Sequence, residues 1–216
     1  MTNDLFRNAL GHAMQGAGVA APNDELDAAA AEIALRYAAP LRAYHNSSHI
    51  AAMLAAFELF RNQTANQTAM TLAILFHDII YDPKRNDNEA ASAEFAKVLL
   101  TKLALPPQHL TKTLALICAT QHGASQPNAC DADCELLLDL DLAILGSSAV
   151  DYHEYSKAIR REYSHVPDEL YRPGRARVLQ AFLEQPVIYR TVEFRGRYEA
   201  KARANLVEEI ANCRAQ

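Results

Sequence analysis

The sequence predicts an all-α fold, and three observations carry that expectation. Of 216 residues 40 are Ala, and Leu, Glu, Gln and Arg fill much of the remainder; these are residues that lose little freedom in a helix. Apolar residues recur at three- and four-residue intervals along nearly the whole chain. Pro, Gly and Asn gather in short breaks between those stretches.

Taken in order, the pattern predicts about ten helices, over 3–17, 24–39, 47–61, 66–81, 87–104, 107–122, 132–146, 149–164, 168–184 and 189–213. Several starts have a chemical cause. Asn23 or Asp24 precedes the second helix, Asn46 or Ser47 the third, Asp87 the fifth and Ser147 or Ser148 the eighth. Each offers a side-chain oxygen to the open N–H groups of a first turn. Pro22, Pro40, Pro83, Pro106, Pro107, Pro127, Pro167 and Pro186 all fall in the breaks. Only Pro173, followed by Gly174, interrupts a predicted helix, which should therefore begin late or kink. No fixed-period repeat and no linker rich in Gly or Ser divides the chain, so one helical domain over 1–216 is expected.

Composition narrows function. No segment reaches the roughly 18 uninterrupted apolar residues of a membrane span, and the first residues lack a basic start followed by an apolar core. The expectation is a cytoplasmic protein with no membrane partner. Cys118, Cys130, Cys134 and Cys213 have no C-x-x-C spacing and are expected as reduced thiols. The net charge of −5 argues against a nucleic-acid binder. Residues 1–150 carry 9 basic and 16 acidic side chains and residues 151–216 carry 12 and 10, so an anion site would borrow cations from the second part.

Ionisable groups inside apolar runs are the sharpest functional signal, because a buried charge is costly unless a partner or a metal compensates it. His49 opens a helix whose apolar stripe is Ile50, Met53, Leu54 and Phe57. His77 and Asp78 interrupt the run from Leu72 to Tyr81, and side chains about 100° apart on one turn can both reach an ion lying between them. Asp139 and Asp141 interrupt the run from Leu136 to Leu145. Leu137, Leu138, Ile144 and Leu145 surround Asp141, whereas Glu135 neighbours Asp139, which predicts that Asp141 is the buried one. No Lys or Arg lies between Lys112 and Lys157 to neutralise it.

Plain alternatives stand beside each reading. His49 suits a hydrogen-bonded core histidine, His77-Asp78 a buried acid–imidazole pair, and Asp141 the cap of a neighbouring helix. Together, two imidazoles and two carboxylates form a mixed nitrogen and oxygen set suited to a divalent metal ion, with Mn, Fe, Mg, Zn, Ni and Co not distinguished. His45 and His122 are weaker candidates, for the outer surroundings of the ion or for substrate, and His12, His109, His153 and His165 are expected at the surface. Cys130 and Cys134 offer a rival zinc site, at a spacing that matches usual zinc motifs poorly.

The order His49, His77-Asp78, Asp141 resembles the HD-domain superfamily of metal-dependent phosphohydrolases. The wider pattern of Tyr44-His45-Asn46-x-x-His49, Phe76-His77-Asp78-x-x-Tyr81-Asp82-Pro83, Asn86-Asp87-Asn88-Glu89-x-x-Ser92, Ala119-Thr120-Gln121-His122 and Asp139-x-Asp141-Leu142-Ala143-Ile144-Leu145-Gly146 is similar to a bacterial branch described as predicted metal-dependent HD phosphohydrolases. Tyr152-x-x-Tyr155, Ile159-Arg160-x-Glu162-Tyr163 and Arg203-x-Asn205-Leu206 extend the likeness over nearly the whole chain.

The resemblance implies a helical fold with a metal core at about 41–146, C-terminal helices at 149–213 packing on it, and an ion held by His49, His77, Asp78 and Asp141. The segment after the HD pair also looks like that of alarmone hydrolases, but their Glu-Asp pair reads Tyr81-Asp82 here, leaving Asp82 as the matching acid.

The function expected from this reading is hydrolysis of a nucleotide or related small phosphorylated molecule by a metal-activated water. Asp82 and Glu89 would orient or deprotonate that water, although either suits a loop cap or a solvated charge. His45, Lys84, Arg85, His122 and Arg160 would contact substrate, although each of the three basic residues taken singly better suits an ordinary surface charge. The alternative function is a nucleotide sensor without turnover. The alanine-rich helices leave room for a homodimer face.

Overall fold

The computed structural model describes residues 2–121 and 130–215, so the helix-end histidine candidate His122 lies outside the described residues. Among the described residues every regular element is helical: α1 (Thr2–Gly16), α2 (Asn23–Tyr37), α3 (Ser47–Glu58), α4 (Gln67–Phe76), α5 (Asn88–Lys102), α6 (Pro107–Ala119), α7 (Ala132–Asp141), α8 (Ala149–Glu162), α9 (Asp168–Leu183) and α10 (Val192–Arg214), with short 3-10 turns at Arg61–Gln63 and Leu142–Gly146. The chain divides into two compact units, Met1–Leu137 and Leu138–Gln216. None of the described helices is long and apolar enough to cross a membrane.

In the first unit α4 is the central element. Its stretch from Thr68 to Phe76 has no charged residue and is buried throughout, and it packs against α1, α3, α5 and α6. A helix apolar all round is stable in water only when neighbours cover every face. Phe6, Leu10 and Met14 of α1 and Ile50, Met53 and Phe57 of α3 supply part of that cover. Asn66 caps α4 by accepting from Ala69 N at 2.9 Å. The amides of Asn66 and Ala65 are in turn held by Asp133 of α7, at 3.1 and 2.9 Å. His109 is half-buried rather than a surface residue, with its Nδ1 3.0 Å from Asn66 Oδ1.

Two helices of this unit end alike. After α1 the amides of Gly18 and Val19 return to Gln15 and Met14 carbonyls, and after α5 those of Ala104 and Leu105 return to Thr101 and Leu100. The turn needs a left-handed residue. Gly18 meets it at φ 75° and Ala104 at φ 59°.

In the second unit α10 packs on α8, α9 and the 142–146 turn. Gly146 makes the last contact possible, since a β-carbon there would lie 2.5 Å from Tyr198 Cβ and 2.7 Å from its carbonyl oxygen. α9 begins at Asp168 and runs through Pro173, not after it. The expected caps Asn46 and Ser148 are made, accepting from Ser48 N and Asp151 N. Asp87 sits before α5 but makes no side-chain cap, because its carboxylate is taken by Arg85.

The cysteine expectation is corrected in part. Cys130 and Cys134 form a disulfide, while Cys118 and Cys213 are free. The four-residue spacing at the start of α7 places their Cα atoms 5.4 Å apart, within the span a disulfide bridges. Joined sulfurs are no longer thiolates, which removes the rival zinc site.

Candidate metal centre

His49 is the third residue of α3 and points to the side of the helix that carries Ile50, Met53 and Phe57 into the core. α4 delivers the other two groups. The sequence places the HD pair inside a helix running to 81, but the helix stops at Phe76. His77 keeps helical backbone angles and bonds Ala73 O at 2.9 Å, and Asp78 follows in the turn.

Three atoms converge there. His77 Nε2 lies 3.3 Å from His49 Nε2 and 3.1 Å from Asp78 Oδ2, and His49 Nε2 is 3.8 Å from the same oxygen. For donors about 2.1 Å from one ion, a right angle sets them about 3.0 Å apart and a tetrahedral angle about 3.4 Å apart. Two of the observed separations, 3.1 and 3.3 Å, fall between those values, and the third, 3.8 Å, is wider. His77 Nδ1 sits 3.1 Å from Ile74 O. A carbonyl only accepts, so in the tautomer with the proton on Nδ1 the Nε2 lone pair is left for an ion in the cluster. The cluster is a set that can hold a metal ion, and two imidazoles with one carboxylate suit a first-row divalent cation. The His49 and His77 side chains are 3 % and 1 % exposed and that of Asp78 15 %, so water reaches the cluster past the carboxylate.

The remaining candidates divide. His45 lies beside the cluster, its ring stacked on Tyr81 with centroids 4.1 Å apart and 6.0 Å from the ring of His49. Asp82 is exposed, and its Oδ1 accepts from Lys84 N at 2.9 Å. That is the work of a loop cap, and Asp82 stands outside the converging set. Lys84 is exposed, and Arg85 forks onto both oxygens of Asp87 at 2.8 and 2.9 Å. Glu89 is half-buried in the first turn of α5.

Arg160, in the second unit, bonds Asp168 Oδ1 and the carbonyls of Tyr163 and Val166 and covers the ring of Tyr171. It ties the end of α8 to the start of α9.

The expectation about the two aspartates of α7 is reversed. Asp139 is fully buried and Asp141 is half-exposed. Asp139 accepts from the amides of Arg190 and Thr191, both at 2.8 Å, and from the Thr191 hydroxyl at 2.7 Å, so it holds in place the residue that caps α10. Burial pushes its carboxyl up, against the pull of those donors. Neighbours three and four residues away did not reveal this, because the partners lie 51 and 52 residues along the chain.

Arg42 was not anticipated. Its guanidinium bonds the carbonyls of His45, Asp78 and Ile79; the only sequence signal was a lone cation just ahead of the first histidine segment.

No protein-family model, curated protein or solved structure matches the chain.

Proposed function

We propose that His49, His77 and Asp78 bind a divalent first-row metal ion and that the protein is a metal-dependent phosphohydrolase acting on a nucleotide or related small phosphorylated molecule. The observation that carries the metal reading is the convergence of two imidazole nitrogens and one carboxylate oxygen, with the far nitrogen of His77 held on Ile74 O. The resemblance to HD phosphohydrolases along the His49, His77-Asp78 order carries the reaction class. When bound, such an ion lowers the pKa of a coordinated water and screens phosphoryl charge.

The chain's own residues supply the rest. His49 and His77 are held rigidly in the core, and Asp78 forms the side open to water. Asp82 and Glu89 are the candidates to take the proton of the attacking water, with Asp82 Oδ1 already accepting from Lys84 N in its own turn. His45 and Lys84 are the candidates for phosphate contact in the first unit.

The test loads purified protein with Mn²⁺ and offers phosphate mono- and diesters, nucleotides and alarmones. Release of phosphate or pyrophosphate is expected, with turnover and bound metal both lost in His77→Ala and Asp78→Ala. Turnover surviving exhaustive chelation overturns the reading. Tight nucleotide binding without any product would turn it into the sensor.

A further inference from the structure

We propose that Arg42 is a positioning residue that sets the spacing between His49 and Asp78 by clamping the main chain on both sides of the cluster. The proposal rests on the metal reading above. α4 ends at Phe76, so the carbonyls of Asp78 and Ile79 lie past its last turn, where no helical N–H follows to meet them. Arg42 Nη1 donates to Asp78 O at 2.6 Å and Nη2 to Ile79 O at 2.9 Å. The same Nη1 donates to His45 O at 3.0 Å, four residues ahead of His49. One planar group therefore joins the chain entering α3 to the chain leaving α4. Those are the two segments that carry the converging atoms.

The clamp is itself held. The guanidinium carbon lies 5.0 Å from the ring centre of Tyr37 and 5.6 Å from that of Tyr81. Tyr37 is buried, stacks on Phe6 and donates its hydroxyl to Leu75 O at 3.0 Å. Ser92, fully buried in α5, accepts from Ile80 N and donates to Ile80 O, fixing the next residue of the turn. A positive charge beyond the carbonyl end of α4 also matches the helix dipole. Lysine cannot take over, because an ammonium lacks the flat fork that meets two consecutive carbonyls at once. All three clamping bonds go to main-chain oxygens, so Arg42 acts through the ligands it places.

The experiment measures Co²⁺ affinity by titration and the Co²⁺ ligand-field spectrum for wild type, Arg42→Lys and Arg42→Gln, with Arg61→Lys as a surface control. Groups that orient metal ligands typically change affinity by about 10- to 100-fold. Arg42→Lys is expected to weaken Co²⁺ at least about tenfold and to alter the spectrum, while Arg61→Lys matches wild type. A folded Arg42→Lys with wild-type affinity and spectrum overturns the proposal. So does failure of both Arg42 variants to fold, which would make the residue a general stabiliser. Wild type that takes up no Co²⁺ is a separate result and removes the metal reading itself.

Discussion

Each unit buries a polar cluster, and the two are built on opposite rules. In the second unit Glu209 of α10 is surrounded by groups that give it hydrogen bonds: Tyr152 Oη at 2.5 Å, Ser156 Oγ at 2.9 Å, and Arg175 Nε and Nη2 at 2.8 and 3.2 Å. Burial pushes the Glu209 carboxyl up, and Arg175, Tyr152 and Ser156 outweigh it, leaving the group below the usual carboxylate range. Burial and the adjacent carboxylate raise the Tyr152 hydroxyl far above its ordinary value, so it stays a donor. In the first unit His49, His77 and Asp78 bring together three atoms that could each bind a metal ion. A cluster in which donors and acceptors alternate stabilises a fold from the chain's own atoms. One in which metal-ligating atoms converge can hold a cation.

That contrast can be broken by substitution. The largest effect is expected from Glu209→Gln, which leaves Arg175 buried without its charge partner and should cost about 3–5 kcal/mol in denaturant unfolding. Its pH signature follows from the lowered pKa. A carboxylate depressed in the folded state contributes stability that is present above its unfolded pKa and lost as pH falls through the folded one. The gap in Tm between wild type and Glu209→Gln should therefore narrow from about pH 6 to about pH 3. A gap that is constant or widens would show that the pair is not what holds this region.

Next comes His77→Ala. With Co²⁺ at about 100 times its Kd, wild type should gain about 2.7 kcal/mol, and His77→Ala none. Glu209→Gln should keep that gain, and thermal melts with and without metal would measure both. A metal gain that survives in His77→Ala would erase the distinction between the clusters. The smallest effect in this series belongs to Tyr152→Phe, which removes one donor from a charged acceptor and should cost about 1.5–3 kcal/mol without changing Co²⁺ affinity.

The sequence made the helices legible because their cause is local. Alanine-rich stretches with apolar residues at helical spacing have few other ways to fold, and the breaks at Pro22, Pro40 and Pro167 mark real ends. It was misleading where the cause is remote. The run from Leu72 to Tyr81 reads as one helix, yet α4 stops at Phe76 and Arg42, 36 and 37 residues away, takes the carbonyls beyond.

Asp139 and Asp141 were exchanged for the same reason, since the start of α10 decides which is buried. The partnership of Arg175 with Glu209 spans 34 residues. A glutamate placed between Leu206 and Ile210 on an apolar face was nevertheless a visible hint. For the disulfide the spacing of Cys130 and Cys134 left the pairing open, and the expectation of reduced thiols rested on the length of the chain and the absence of C-x-x-C, not on the geometry of a helix start. Of the proposed ligands, His77 and Asp78 were found because they interrupt an apolar run and His49 because it shares a helix face with an apolar stripe, the local marks a buried polar group leaves.

Ala104 holds a backbone conformation that an L side chain resists, in a turn where Gly18 performs the same task after α1. The left-handed region costs a non-glycine residue about 1–2 kcal/mol, offset in part by the greater freedom a glycine loses, so Ala104→Gly should gain up to about 1 kcal/mol. This corner sits below its optimum. A chain repaired there has a margin with which to survive harsher truncations, which makes it the natural background for dissecting the histidines one at a time.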